Sequence, residues 1–191
     1  DSYSPNGIIG EKDACGVGFI ANIKGEESNW ILKQSLKGLN CMEHRGGCGG
    51  DSDSGDGAGI LCSIPWNYLE KELNLETKKE YDKGLGMIFM PNKKDKIEEC
   101  KSICEGEAEK LKINKTSWRI VPVNNEILGP LAKANAPYIC QWILYIDKTD
   151  HHDVERLLFQ LRKRIEKKIR ETFKNDVGDC EFYFASLSSQ T

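Results

Sequence analysis

The chain has 191 residues, 39% of them hydrophobic and 30% charged, with a formal net charge of −3. That is enough for one full core, and the composition belongs to a folded globular protein rather than a disordered or collagen-like one. Its longest apolar runs, Ala58-Gly59-Ile60-Leu61-Cys62 and Tyr138-Ile139-Cys140, fall far short of the roughly 18–20 residues of a membrane span. The two charge signs are interspersed, which leaves no basic face for nucleic acid.

Asp1 to Ala14 holds Pro5, Gly7 and Gly10 without a sustained period and reads as a leader. The run from Cys15 to Ile23, apolar almost throughout and ended by Gly25, is expected to be a strand buried on both faces. Ser28 is placed to cap a helix whose Ile31, Ser35, Leu36, Leu39 and Met42 share a face. From Glu43 to Gly59 there are seven glycines in seventeen positions, too many for a regular element. Ala58 to Ile64 is expected to be a second buried strand closed by Pro65, followed by a short amphipathic helix through Tyr68, Leu69 and Leu73.

Beyond it the pattern predicts a strand at Leu85–Met90, a helix at Asp95–Leu111, and strands at Trp118–Val123, Tyr138–Ile146 and Phe182–Leu187. Asp150 is expected to cap the clearest helix, in which Val154, Leu157, Leu158, Leu161, Ile165 and Ile169 form one stripe that lies on the sheet. No internal repeat is evident, and the whole reads as one domain of α/β or α+β type.

Eight cysteines without a C-x-x-C pair point to reduced thiols rather than a disulfide framework. Cys41-x-x-His44 followed by Cys48 offers three ligands of a tetrahedral zinc site but no fourth, so packed small thiols are the plainer reading. Cys100 and Cys104, four apart, read as a half-buried helix face. Asp51-Ser52-Asp53-Ser54-Gly55-Asp56 opens like a calcium loop but fails at Gly55, Asp56 and Cys62, where such a loop needs a ligand, a glycine and a glutamate. The same glycines fit neither a phosphate loop nor the dinucleotide fingerprint.

Cys15 is the more productive candidate, because it stands directly after the leader. If cleavage made it the first residue, its free α-amine, with a pKa near ~8, would serve as general base to its own thiol. An amide nitrogen could not.

Three motifs carry a resemblance: Asp13-Ala14-Cys15-Gly16-Val17-Gly18-Phe19, Cys41-Met42-Glu43-His44-Arg45-Gly46-Gly47-Cys48, and Asp53-Ser54-Gly55-Asp56-Gly57-Ala58-Gly59. In this order they closely resemble the class II glutamine amidotransferase domain that begins glutamate synthases. Agreement continues through Trp118–Val123, Leu128-Gly129, the Arg162–Glu166 helix and Phe182-Tyr183 to Ser189. The resemblance implies an α+β fold of the N-terminal nucleophile hydrolase type, a four-layer αββα sandwich of antiparallel sheets, incomplete at its C-terminal end. It makes residues 1–14 a propeptide and 15–191 the N-terminal part of the domain. Cys15 becomes the nucleophile that attacks the side-chain amide of L-glutamine. Arg45 and Gly46, in the family's His-Arg-Gly motif, become residues that hold the site.

The resemblance further implies FMN, an iron–sulfur cluster and 2-oxoglutarate in other parts of the full-length enzyme, with no cofactor or metal in this segment. Glu43-His44-Arg45-Gly46-Gly47-Cys48 with Asp53-Ser54-Gly55-Asp56-Gly57-Ala58-Gly59 and Ser63-Ile64-Pro65-Trp66 looks more like the ferredoxin-dependent type than the pyridine-nucleotide type. A plastid stroma or cyanobacterial cytoplasm would follow. The family's oxyanion Asn-Gly pair and its carboxylate-clamping Arg and Asp lie further along than Ser189-Gln190-Thr191, and Asn124-Asn125 is no substitute. The 191-residue piece alone is therefore expected not to be a competent glutaminase. The contrasting reading is a non-catalytic binding or regulatory domain that keeps its leader, or a thiol-rich metal module built on Cys41, His44 and Cys48.

Overall fold

The computed structural model describes residues 16–42, 51, 53–55, 57–73, 81–148, 153–174 and 181–191. They form two compact units. One joins the described residues up to Cys62 with Asn124–Asn135, and the other joins Ser63–Val123 with Ala136–Thr191.

The second unit is built on a four-stranded antiparallel sheet, β1 (Tyr81–Met90), β2 (Lys115–Ile120), β3 (Tyr138–Asp147) and β4 (Tyr183–Ser188), in the order β2-β3-β1-β4. β1 and β3 pair along all ten residues, from Tyr81 opposite Asp147 to Met90 opposite Tyr138. The register shifts once, between β1 and β4 at Met87 and Ile88. Alternation along the strands then sorts the side chains by face. Ile88, Met90, Trp142, Leu144, Ile146 and Phe184 meet the helix stripe Leu157, Leu158, Leu161, Ile165 and Ile169 in one dry cluster. The opposite face carries Leu85, Ile143 and Tyr145 under Ile64 and Leu69.

Each helix of this unit follows from its pattern. α2 (Trp66–Leu73) buries Leu69, and α3 (Lys94–Glu109) buries Ile97, Cys100, Cys104, Glu107 and Ala108. α5 (Val154–Thr172) buries the expected stripe and leaves the charged side chains outside. Its cap is Asp153, whose carboxylate accepts from the Arg156 N–H at 3.0 Å. The expected cap, Asp150, lies outside the described residues, and the observed bond moves the helix start to Asp153. Gly84 makes the close packing of α5 on β1 possible, because a Cβ there would stand 2.9 Å from Leu158 Cδ2.

In the first unit, α1 (Asn29–Cys41) begins as expected at Ser28, whose hydroxyl accepts from the Trp30 N–H at 3.1 Å. A 3₁₀ turn, Asn125–Ile127, and the short α4, Pro130–Ala134, were not anticipated from the pattern. Two expected strands are corrected. The described part of the Cys15–Ile23 run is not a strand, and Val17 and Phe19 are 95% and 94% exposed. Ala58–Ile64 is likewise irregular, with Leu61 exposed and only Ile64 buried. Apolar character alone does not make a strand. Its N–H and C=O groups need a neighbour to pair with, and no ladder reaches either segment among the described residues.

The α+β class and the antiparallel pairing stand as expected. Strand ends differ by a few residues: β1 starts at Tyr81 rather than Leu85, and β2 spans Lys115–Ile120 rather than Trp118–Val123.

Candidate active site

Two described polar residues of the glycine-rich stretch, Asp51 and Ser54, make directed bonds. Asp51 Oδ1 accepts from the Ser54 N–H at 2.5 Å, and Oδ2 accepts from the Ser54 hydroxyl at 3.0 Å. The same Oδ2 accepts from the Leu131 N–H at 3.0 Å, while Ser54 Oγ accepts from the Ala132 N–H at 3.0 Å. The donors come from the first turn of α4. A helix start leaves its first N–H groups without intrahelical partners, and Pro130 at the first position has none to offer. Leu131 and Ala132 are therefore the groups that need acceptors, and Asp51 and Ser54 supply them.

The joint is tight. Ser54 is 7% exposed and, with Glu107, makes up the buried polar residues described. A Cβ on Gly129 would stand 2.5 Å from Ser54 Oγ and 2.7 Å from the Asp53 carbonyl carbon, so any side chain at 129 would force the backbone apart. The Leu131 N–H holds the Asp51 carboxyl below its ordinary value; burial opposes it, and Ser54 adds to it. Asp51 is thus an ionised acceptor whose oxygens are both spent on N–H and O–H donors.

The predicted site residues Cys15, Arg45 and Gly46 lie outside the described residues, as do His44, Cys48 and Cys180. Of the remaining thiols, Cys41 and Cys62 are exposed, whereas Cys100, Cys104 and Cys140 are buried. Cys100 and Cys104 were expected on a half-buried face; they are fully covered in the main cluster. Burial pushes the Cys104 thiol far up, with Cys100 adding to it, and raises Cys140 to about 11 against a smaller opposing effect of Lys101. Neither is a nucleophile at neutral pH. Asn124 accepts from the Glu126 N–H at 3.1 Å through its side-chain oxygen and so caps the 3₁₀ turn.

The sheet unit also holds a polar cleft of about 700 Å³ lined by Trp66, Asp82, Lys83, Lys148, Glu155 and Gln190, among others. Its charges are satisfied internally. Lys83 pairs with Glu70, Lys148 with Asp82 at 3.5 Å, and Glu155 accepts from the Ser189 N–H at 2.6 Å. No cysteine is among the described residues that line it.

Residues 15–191 match the family of class-II glutamine amidotransferases, and the match begins at Cys15. The chain belongs to that family. Its fold type is that of the N-terminal nucleophile hydrolases. The chain is 43% identical over 188 residues to ferredoxin-dependent glutamate synthase 1 of Arabidopsis thaliana, an alignment covering 96% of the chain and 11% of that protein. It is 41% identical to the ferredoxin-dependent glutamate synthase of Pyropia yezoensis over all of the chain and 12% of that protein. It is 40% identical to the glutamate synthase [NADPH] large chain of Bacillus subtilis, over 95% of the chain and 12% of that protein. The chain thus spans about a ninth of the length of such relatives. Asp51 and Gly129 escaped notice as partners because 80 residues separate Asp51 from Leu131. The one available signal was a Gly-Pro helix start, which advertises two unpaired donors.

Proposed function

We propose that this chain is the glutamine-hydrolysing segment of a glutamate synthase, with Cys15 as nucleophile. The observation that carries the reading is the family match, which starts at Cys15 and runs through residue 191. Removal of residues 1–14 would free the Cys15 α-amine, which takes the thiol proton as the sulfur attacks the glutamine side-chain carbonyl. The tetrahedral adduct collapses to a thioester as the amide nitrogen accepts that proton and leaves as ammonia. Water, deprotonated by the same amine, then cleaves the thioester, and glutamate leaves with the thiol restored. Arg45, a fixed cation with directional donors, and Gly46, where backbone can approach closely, hold the loop beside the nucleophile.

In this reading ammonia passes to 2-oxoglutarate elsewhere in the enzyme, where FMN and an iron–sulfur cluster supply the electrons. Both groups belong to the rest of the polypeptide. Ferredoxin is the proposed donor and a plastid stroma or cyanobacterial cytoplasm the proposed setting. Identity to relatives of the two types is nearly equal, 43% and 40%. The preference therefore rests on the motifs Glu43 to Cys48, Asp53 to Gly59 and Ser63 to Trp66.

The test is the intact mass and first residue of the full gene product carrying this segment, purified from its own compartment, together with ammonia release from glutamine. A product that begins at Cys15, releases ammonia and loses that activity in Cys15→Ala is expected. A retained leader, or ammonia release that survives Cys15→Ala, would overturn the assignment.

A further inference from the structure

Charges that are interspersed along the chain are sorted by folding on the outer surface of the helices that cover the sheet. On α3, Asp95, Glu98, Glu99, Glu105 and Glu109 are exposed, on the side away from the buried Ile97, Cys100, Cys104 and Ala108. On α5, Arg156, Lys163, Lys167 and Arg170, with Lys174 just past its end, are exposed on the side opposite the buried stripe. The two helices pack against each other over one face of the sheet, so an acidic and a basic stripe run side by side. Lys94 interrupts the acidic stripe at its start. Lys101 and Glu171, which flank the stripes, are engaged by Glu98 at 3.2 Å and Lys167 at 3.9 Å.

Two contacts give the relative direction of the helices. Lys96, near the start of α3, lies 5.9 Å from the ring centroid of Phe173, just past the end of α5. Glu107, near the end of α3, accepts from Arg164 in the middle of α5 at 2.8 Å. The helices are therefore antiparallel, and Asp95, Glu99 and Glu105 stand at the levels of Lys174, Arg170 and Lys163.

We infer that this helix layer is a self-association surface, on which a second copy of the chain lies with its α3 across α5 and its α5 across α3. A twofold axis in the interface and parallel to the helices produces this arrangement. It keeps every residue at its level, so Glu99 of each copy faces Arg170 of the other. A twofold axis across the helices would instead set α3 on α3 and α5 on α5, like charge on like. Phe159, 62% exposed with the Lys163 ammonium 5.8 Å from its ring centroid, adds an apolar group to the basic stripe. A phosphate-bearing surface, whether nucleic acid or membrane, would meet the α3 carboxylates together with the α5 cations. A second copy satisfies both stripes at once.

The area sets the strength. Sixteen residues of α3 at ~1.5 Å each, and two helices each ~10 Å across, offer on the order of 500 Å² per copy. That lies at the lower end for a specific interface, and this one is charged, so the association is weak and sensitive to salt.

Sedimentation of the full gene product carrying this segment tests it. The protein should show a monomer–dimer equilibrium at about 20 mM salt that shifts to monomer at about 500 mM. Arg170→Glu and Glu99→Lys should each raise the dimer dissociation constant about tenfold or more, because each sets like charges opposite at two symmetry-related contacts. Mixed in equal amounts, the two variants should associate about as tightly as wild type, since every reversed charge then faces its opposite. The salt titration of wild type stands without either variant should one lose its cooperative melting transition. A wild-type protein that is monomeric at every salt would overturn the inference, as would a dimer that ignores both substitutions. So would single variants that dissociate yet fail to pair on mixing. Binding of phosphatidylserine vesicles or duplex DNA that is lost in Arg170→Glu, without self-association, would overturn it in favour of a phosphate-bearing partner.

Discussion

The two compact units of this chain are held together by different physics. Every buried hydrophobic side chain described, from Ile64 to Leu187, belongs to the sheet unit. The loop unit has Ser54 as its buried polar residue and leaves Val17, Phe19, Ile23 and Ile127 exposed. Position in the sheet unit is set mainly by apolar area spread over many side chains. In the loop unit it is set by a few directed bonds, Asp51 to Ser54 and Leu131, Ser54 to Ala132, and Ser28 to Trp30. Substitutions should therefore act globally in one unit and locally in the other.

The largest expected effect is in the sheet unit, where Leu158 lies over Gly84. Leu158→Ala should cost about 2–5 kcal/mol in denaturant unfolding, from lost burial plus the cavity left behind. Gly84→Ala should cost about 1–3 kcal/mol by overpacking, because its Cβ would stand 2.9 and 3.0 Å from the two Leu158 methyl carbons. Combining them relieves the clash, so the double variant should be more stable than the sum of the two losses predicts. Strict additivity would show that the helix does not rest on that glycine.

A smaller effect belongs to the buried carboxylate that ties the two outer helices. Glu107 on α3 is 6% exposed and accepts from Lys110 at 2.5 Å and from Arg164 of α5 at 2.8 Å. Lys110 foremost, with Arg164 assisting and burial opposing, holds its carboxyl below the ordinary 4.5. A depressed folded-state pKa contributes stability that is present above the unfolded value and lost as pH falls through the folded one. Glu107→Gln should thus cost about 1–3 kcal/mol at pH 7. Its deficit against wild type should shrink as pH drops below about 4.5. A deficit that stays constant down to pH 3 would mean that packing rather than charge is lost.

Legibility in the sequence divides along the same line. The α5 stripe, the α1 cap at Ser28 and the β3 strand were readable because one periodic face suffices to define each. The start of β1 was not, since Asp82, Lys83 and Gly84 look like breakers until the pairing with β3 and the fit of Leu158 are known. The runs after Cys15 and Ala58 look like strands by composition, yet pairing is a property of neighbours and not of the run itself. For the candidate site, Cys15 stood out by its place directly after the leader and Arg45 and Gly46 by motif resemblance, and all three lie outside the described residues. The Asp51–Gly129 joint is chemically simple, but nothing local announces a contact between a loop and a helix start so far apart in the chain.

The smallest effect tests whether control in the loop unit is as local as its bonds. The Ser28 hydroxyl accepts from Trp30, two residues on, so its contribution is confined to the first turn of α1. α1 has no fully buried residue to reinforce that turn. Ser28→Ala should remove about 1 kcal/mol from the helix, which corresponds to roughly fivefold faster amide exchange along α1. Exchange along β3, whose inner face is dry and whose neighbours pair on both sides, should not change. Faster exchange in β3 as well would mean that the cap stabilises more than its own helix, and the contrast between a cooperative sheet unit and a locally governed loop unit would have to be given up.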